Sequence, residues 1–287
     1  MKHIGISIPL LVSLFAVSSN GFGGETSSEL KGPYIGQEPP GLTPKLFTPG
    51  IPSTEYRDWG GSFTPDMKEY YFARRNHETG KSTIMVIKSE NDQWQESVAW
   101  PSGRNGSISP DGKTMHIGKY YRTRIDNGWS DLKNLGGPFD DYRIMRLTTS
   151  KKGTYVFDEV GNDGDGILRY SRLINGKREA PKAFGKQINT GKWTAHPFIA
   201  PDESYVIWDS ERDGGYGDSD MYISFRQADG SWGAAINFGE KINTDGEDGG
   251  GYVTPDGKYL LYCRRCTPPN FEIMWVDAKI IETLRPE

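Results

Sequence analysis

One arrangement of apolar and polar positions recurs five times along the chain: a short apolar stretch, a turn built on Pro-Asp, then an aromatic-rich stretch. Ser62-Phe63-Thr64-Pro65-Asp66 leads into Tyr70-Tyr71-Phe72, and Ser107-Ile108-Ser109-Pro110-Asp111-Gly112 into Met115-His116-Ile117. A degenerate copy, Thr148-Thr149-Ser150-Lys151-Lys152-Gly153, precedes Tyr155-Val156-Phe157. Phe198-Ile199-Ala200-Pro201-Asp202 precedes Tyr205-Val206-Ile207-Trp208, and Tyr252-Val253-Thr254-Pro255-Asp256-Gly257 precedes Tyr259-Leu260-Leu261-Tyr262. With the Asp position as anchor, the copies fall at 66, 111, 152, 202 and 256, a period of about 48, which is that of a β-propeller blade.

Between the copies, polar turns run into Trp at Asp92-Gln93-Trp94, Asn127-Gly128-Trp129 and Gly230-Ser231-Trp232, with Asn175-Gly176-Lys177 in the same slot. Asn-Gly and Gly-Ser are tight hairpin signals. Each unit therefore reads as inner strand A, Pro-Asp turn, strand B, strand C, hairpin and outer strand D. Strands A and B occur five times. Internal D strands occur four times, near 94–100, 129–135, 180–185 and 232–238. The fifth unit stops at strand C, Ile273-Met274-Trp275-Val276, and the segment from Pro44 to Gly50 supplies its missing outer strand. The expected fold is all-β: a five-bladed propeller of four-stranded antiparallel blades, closed by an N-terminal strand so that no sheet edge stays open at the seam. No sixth unit is present in the pattern. The expected division is a signal peptide at 1–24, a lead-in at 25–43 and the propeller at 44–287.

Composition agrees with strands and turns. Glycine is abundant, at 36 residues, and aromatics make up 12% while hydrophobic residues reach only 35%. Lys and Arg number 34 against 38 Asp and Glu, a net charge of -4, which leaves no basic footprint for nucleic acid. Lys2 and His3 precede an apolar run from Ile4 to Val17 and then small polar residues. That run is shorter than the ~20 residues of a membrane span and reads as a secretory signal. A monomer in the periplasm or outside the cell, with no membrane span in the mature chain, is expected.

The motifs Ser109-Pro110-Asp111-Gly112-Lys113, Pro201-Asp202-Glu203-Ser204-Tyr205, Asp209-Ser210-Glu211-Arg212, Asp218-Ser219-Asp220-Met221-Tyr222-Ile223 and Ile242-Asn243, with the ending Met274-Trp275-Val276-Asp277-Ala278-Lys279-Ile280-Ile281, resemble the WD40-like repeats of TolB-type bacterial propeller proteins. The resemblance covers nearly all of the mature chain. It implies the fold and leaves function open, because such propellers include protein-binding modules and carbohydrate-active enzymes.

Candidate chemistry lies at the end of the channel opposite the Pro-Asp turns, where residues before strand A meet those after strand B. Polar positions that differ from blade to blade there are Arg57, Asp58, Arg74, Arg143, Arg146, Trp193, His196, Asp209, Arg212, Glu247, Asp248 and Arg264, with Tyr120 nearby. Arg offers a fork that matches carboxylates, and aromatic faces suit sugar rings. The leading expectation is a binding module whose channel mouth takes a polar ligand, such as an acidic oligosaccharide, or an envelope protein. The alternative is a polysaccharide lyase or glycoside hydrolase acting on a uronate-containing glycan. In that reading His196, Arg146 and Tyr120 are catalytic, with His196 as a base beside an Arg-neutralised uronate. The other ten residues bind the ligand. Three histidines after the signal segment make a histidine-rich metal centre improbable, and no cofactor is expected. Cys263-Arg264-Arg265-Cys266 is read as a local disulfide.

Overall fold

The computed structural model describes residues 30–286 apart from 49, 51–55, 127, 162, 164, 268 and 269, and apart from the side chains of Cys266, Thr267 and Asn270. The expected signal peptide lies outside the described residues. Five antiparallel sheets follow one another along the chain as the blades of a propeller. Blade 1 pairs Arg57–Phe63, Glu69–Arg75, Ser82–Glu90 and Gln93–Trp100, from the inner strand outwards. Blade 2 pairs Ser107–Ile108, Thr114–Ile117, Tyr120–Ile125 and Lys133–Asn134; blade 3 pairs Leu147–Thr149, Tyr155–Val160, Gly166–Ser171 and Lys182–Ala183. Blade 4 pairs Lys192–Ile199, Tyr205–Glu211, Asp220–Phe225 and Ile236–Asn237. Blade 5 pairs Asp248–Val253, Tyr259–Thr267 and Asn270–Asp277, and Lys45–Leu46 from the N-terminal side adds its outer strand against Met274 and Trp275. The closure read from the sequence is therefore the one observed.

The repeated motifs build the blades. In the Pro-Asp turns a hydroxyl two residues before the Asp donates to its carboxylate: Thr64 to Asp66, Ser109 to Asp111 and Thr254 to Asp256, each at 2.6 Å. The residue after the anchor has a left-handed φ in all five blades, from Met67 at 59° to Gly153 at 80°. The Ile-Asn motif stands in for part of a shortened outer strand. Asn243 accepts from the Met221 N–H and donates back to the Met221 carbonyl, and Asn189 does the same for Leu168.

The core lies between blades. Trp275, Phe47, Phe63 and Tyr70 fill the seam between blades 5 and 1, and all are fully buried. Val156, Leu168 and Trp208 fill the contact between blades 3 and 4. The lead-in adds a second clasp. Tyr34 donates to Asp256 of blade 5, while the Gly32 carbonyl accepts from the indole of Trp94 in blade 1. Both ends of the chain's ring are thus held by residues that precede the first blade.

Candidate functional site

The inner strands of blades 1, 4 and 5 each carry a bulge at the same place, six residues before the anchor. Gly60, His196 and Gly250 occupy it with φ of 64°, 47° and 68°. A bulge frees an N–H from the ladder, and here the strand B of the preceding blade takes it. Cys263 Sγ accepts from Gly60 N at 3.1 Å, Asp158 Oδ2 from His196 N at 3.0 Å and Asp209 Oδ1 from Gly250 N at 2.9 Å. These three acceptors form a ring of latches around the channel. Gly60 is also needed for space: a Cβ there would sit 1.8 Å from the Asn105 amide.

Cys263 is therefore a free, buried thiol that does the work of an aspartate, and burial pushes its pKa up to about 11. The expected bridge to Cys266 is not formed. Both residues lie on the one strand Tyr259–Thr267, where a three-residue separation spans about 10 Å, too far for a disulfide.

His196 is the centre of the site. A non-glycine residue in the left-handed region is a strained conformation that its surroundings must impose. Two carboxylates impose it: Asp158 holds its main chain, and both oxygens of Asp209 receive its Nδ1–H, at 3.0 and 3.1 Å. Asp158 and Asp209 are 0% and 2% exposed, while the imidazole is 32% exposed. Burial opposes charge on the ring, but Asp209 and Asp158 outweigh it and raise the pKa to about 9. His196 is thus a cation at neutral pH. The raised pKa opposes the expected role as a base, and Nε2 is free of protein partners among the described residues.

Arg146 projects toward the same centre from blade 3. Its guanidinium comes within 3.6 Å of where a Cβ on Gly250 of blade 5 would be. Burial lowers its pKa, opposed by Asp209, Cys263 and Asp158, although Arg keeps its proton in proteins at neutral pH. No ion pair or side-chain hydrogen bond holds it among the described residues. Glu247 and Arg57 complete the group from blades 5 and 1. Burial, then Asp209, raises the Glu247 carboxyl pKa, and Arg57 stacks over Phe271 at 4.2 Å.

The remaining candidates are elsewhere or engaged. Asp58 with Arg74 and Asp248 with Arg264 are cross-strand ion pairs at 3.0 and 2.8 Å inside blades 1 and 5. Arg212 donates to the Ile188 carbonyl and stacks on Tyr222. Trp193, also left-handed at 49°, has no side-chain hydrogen bond or ring contact among the described residues. Tyr120 and Arg143 line a separate cleft over blade 2 and do not join His196 and Arg146. The sequence reading passed over Asp158 and the latch role of Cys263. Cys263 lies one residue before Arg264 and Asp158 two before Val160, so neither falls in the strand B slot eight residues after the anchor.

The class defined by fold and site is a five-bladed β-propeller with a charged, histidine-bearing channel mouth. No protein-family model matches the sequence, and no curated protein is significantly similar to it. Among solved structures it is similar to the calcium-binding protein regucalcin of Agrobacterium tumefaciens, at 14% identity and a TM-score of 0.38 over 55% of this chain and 54% of that one. It is also similar to a gluconolactonase of Xanthomonas campestris, at 10% identity and a TM-score of 0.46 over 85% and 97% of the two chains. An oligogalacturonate lyase of Vibrio parahaemolyticus is similar at 16% identity and 0.41 over 81% and 65%. The chain thus spans about half the length of the regucalcin and just under two thirds of the lyase. At these identities the likeness concerns shape alone.

Proposed function

We propose that this is an exported propeller whose channel mouth binds an acidic saccharide, with Arg146 as the anchor for a carboxylate. The observation that carries the reading is an arginine without an ion-pair partner among the described residues, partly desolvated at the centre of the ring beside a second cation, His196. A guanidinium so placed gains a charge-assisted, bidentate partner on binding a carboxylate. The resemblance of the repeats to TolB-type propellers and the N-terminal signal pattern support an envelope or extracellular setting. Titration of residues 25–287 with uronate oligomers is expected to give saturable binding that Arg146→Ala weakens at least about tenfold. Absence of binding to any uronate would sink the reading.

Catalysis on the same ligand is a second reading, favoured by the strained backbone and raised pKa of His196. In it the Glu247 carboxylate takes the proton from the carbon beside the uronate carboxylate, and the freed electron pair forms the new C=C as the C–O bond to the neighbouring sugar breaks. The His196 imidazolium gives its Nε2 proton to the departing glycosidic oxygen, and Arg146 neutralises the uronate carboxylate. Absorbance of an unsaturated product, followed alongside binding, separates β-elimination from binding alone.

A further inference from the structure

Blade 2 is shorter than the others at the channel-mouth end. All five B strands start three residues after the anchor, yet that of blade 2 ends at Ile117 after four residues, while the others run for six to nine. A tight turn at Gly118-Lys119 sends the chain straight back into Tyr120–Ile125. The missing turn of sheet leaves a cleft of about 600 Å³, within the range of small-molecule sites.

Its lining has a definite chemistry. Ile117, Ile144 and Leu132 are apolar. Trp100 also borders the cleft, but Tyr71 stacks near one face at 5.8 Å and the Arg122 guanidinium lies over the ring at 4.6 Å. Tyr120, 39% exposed, has no ring contact among the described residues. Four cations (Arg104, Lys119, Arg122 and Arg143) face two carboxylates, and that of Asp140 already accepts from Asn134. Among the described residues the Arg122 Nε is buried without a partner, and Arg104 and Arg143 are exposed with no ion pair. In a chain of net charge -4, this is a locally positive, half-apolar hollow with one free aromatic face.

Position links it to the channel. Arg143 borders the cleft and Arg146 projects into the channel, three residues apart on one segment, so their Cα atoms are at most about 11 Å apart. The Met145 and Arg146 N–H groups donate to the buried Asp158 at 2.8 and 3.0 Å, which fixes that segment. Two arginines are thus held at a set spacing by a fixed strap.

We infer that the cleft over blade 2 is a second subsite for an acidic oligosaccharide, in which Tyr120 stacks on a sugar ring and Arg143 binds its carboxylate while Arg146 holds another uronate. The inference rests on the channel reading and extends it from one uronate to a chain of them.

The test is calorimetric titration with galacturonate and mannuronate monomers and their di-, tri- and tetramers. The intact protein is expected to bind the trimer at least about tenfold more tightly than the monomer. Tyr120→Ala with Arg143→Ala removes exposed side chains only. The double variant should keep monomer affinity within about twofold while losing the gain with length. A gain that survives the double variant, or no gain in the intact protein, overturns the inference. If Arg146→Ala leaves all binding intact while the double variant abolishes it, the channel reading fails and the cleft stands alone. If no uronate of any length binds, both fail.

Discussion

Asp209→Ala is expected to destabilise the protein by about 3–5 kcal/mol, the cost of removing one partner of a buried charge pair. The carboxylate is nearly inaccessible and serves two neighbours at once, the Gly250 N–H of blade 5 and the His196 ring of blade 4. Its loss leaves an N–H without its acceptor and a cation without its counter-charge. Asp209→Asn keeps the shape and isolates the charge. The His196 pKa lies near 9 in the folded protein, above the ~6.5 of an unfolded chain. The favourable contribution of this pair is therefore complete below about pH 6.5 and disappears as pH rises through about 9. Urea unfolding across that window should show stability falling in the native protein and falling much less in Asp209→Asn. An NMR titration should move the His196 midpoint down by more than a unit in the same variant. An unchanged midpoint would show that Asp209 does not set the charge.

A chain that begins after Thr48 is expected to lose its cooperative unfolding transition. It lacks the outer strand of blade 5 and Phe47, whose ring lies 5.2 Å from Trp275 and 5.5 Å from Tyr70 across the seam. Removing a buried Phe side chain alone costs about 3–5 kcal/mol. The truncation also leaves Asn270–Asp277 as an unpaired edge, a template for aggregation. Phe47→Ala measures the packing share without opening the edge, and a chain starting at residue 25 serves as the intact reference. A truncated chain that melts at the reference temperature would refute the seam's role.

The fold was legible because each blade repeats the same local instructions. A Pro-Asp turn with its hydroxyl, a run of aromatics and a hairpin are short-range signals, and five copies fix the count. The N-terminal strand was legible from two signs together: the fifth blade still needed a strand, and Pro44 to Gly50 resembles an outer strand and its exit. The site was less legible. Asp58 and Arg74 look like ligand residues until the register shows them facing each other across one blade. His196 stood out by position, but its charge state depends on Asp158 and Asp209, which approach from two strands on different blades. Tyr120 was grouped with His196 because both lie at one end of the channel. What separates them is the early return of one hairpin, a difference of a few residues in strand length.

That short hairpin also bears on how a polymer would meet the protein. A funnel walled equally on all sides accepts only something that enters along its axis, so a long glycan would have to present an end. On the two-subsite proposal, the short wall at blade 2 would make the funnel a spout. If both subsites bind as proposed, a chain lying across them would enter by the centre and leave over the side, and binding would need no chain terminus.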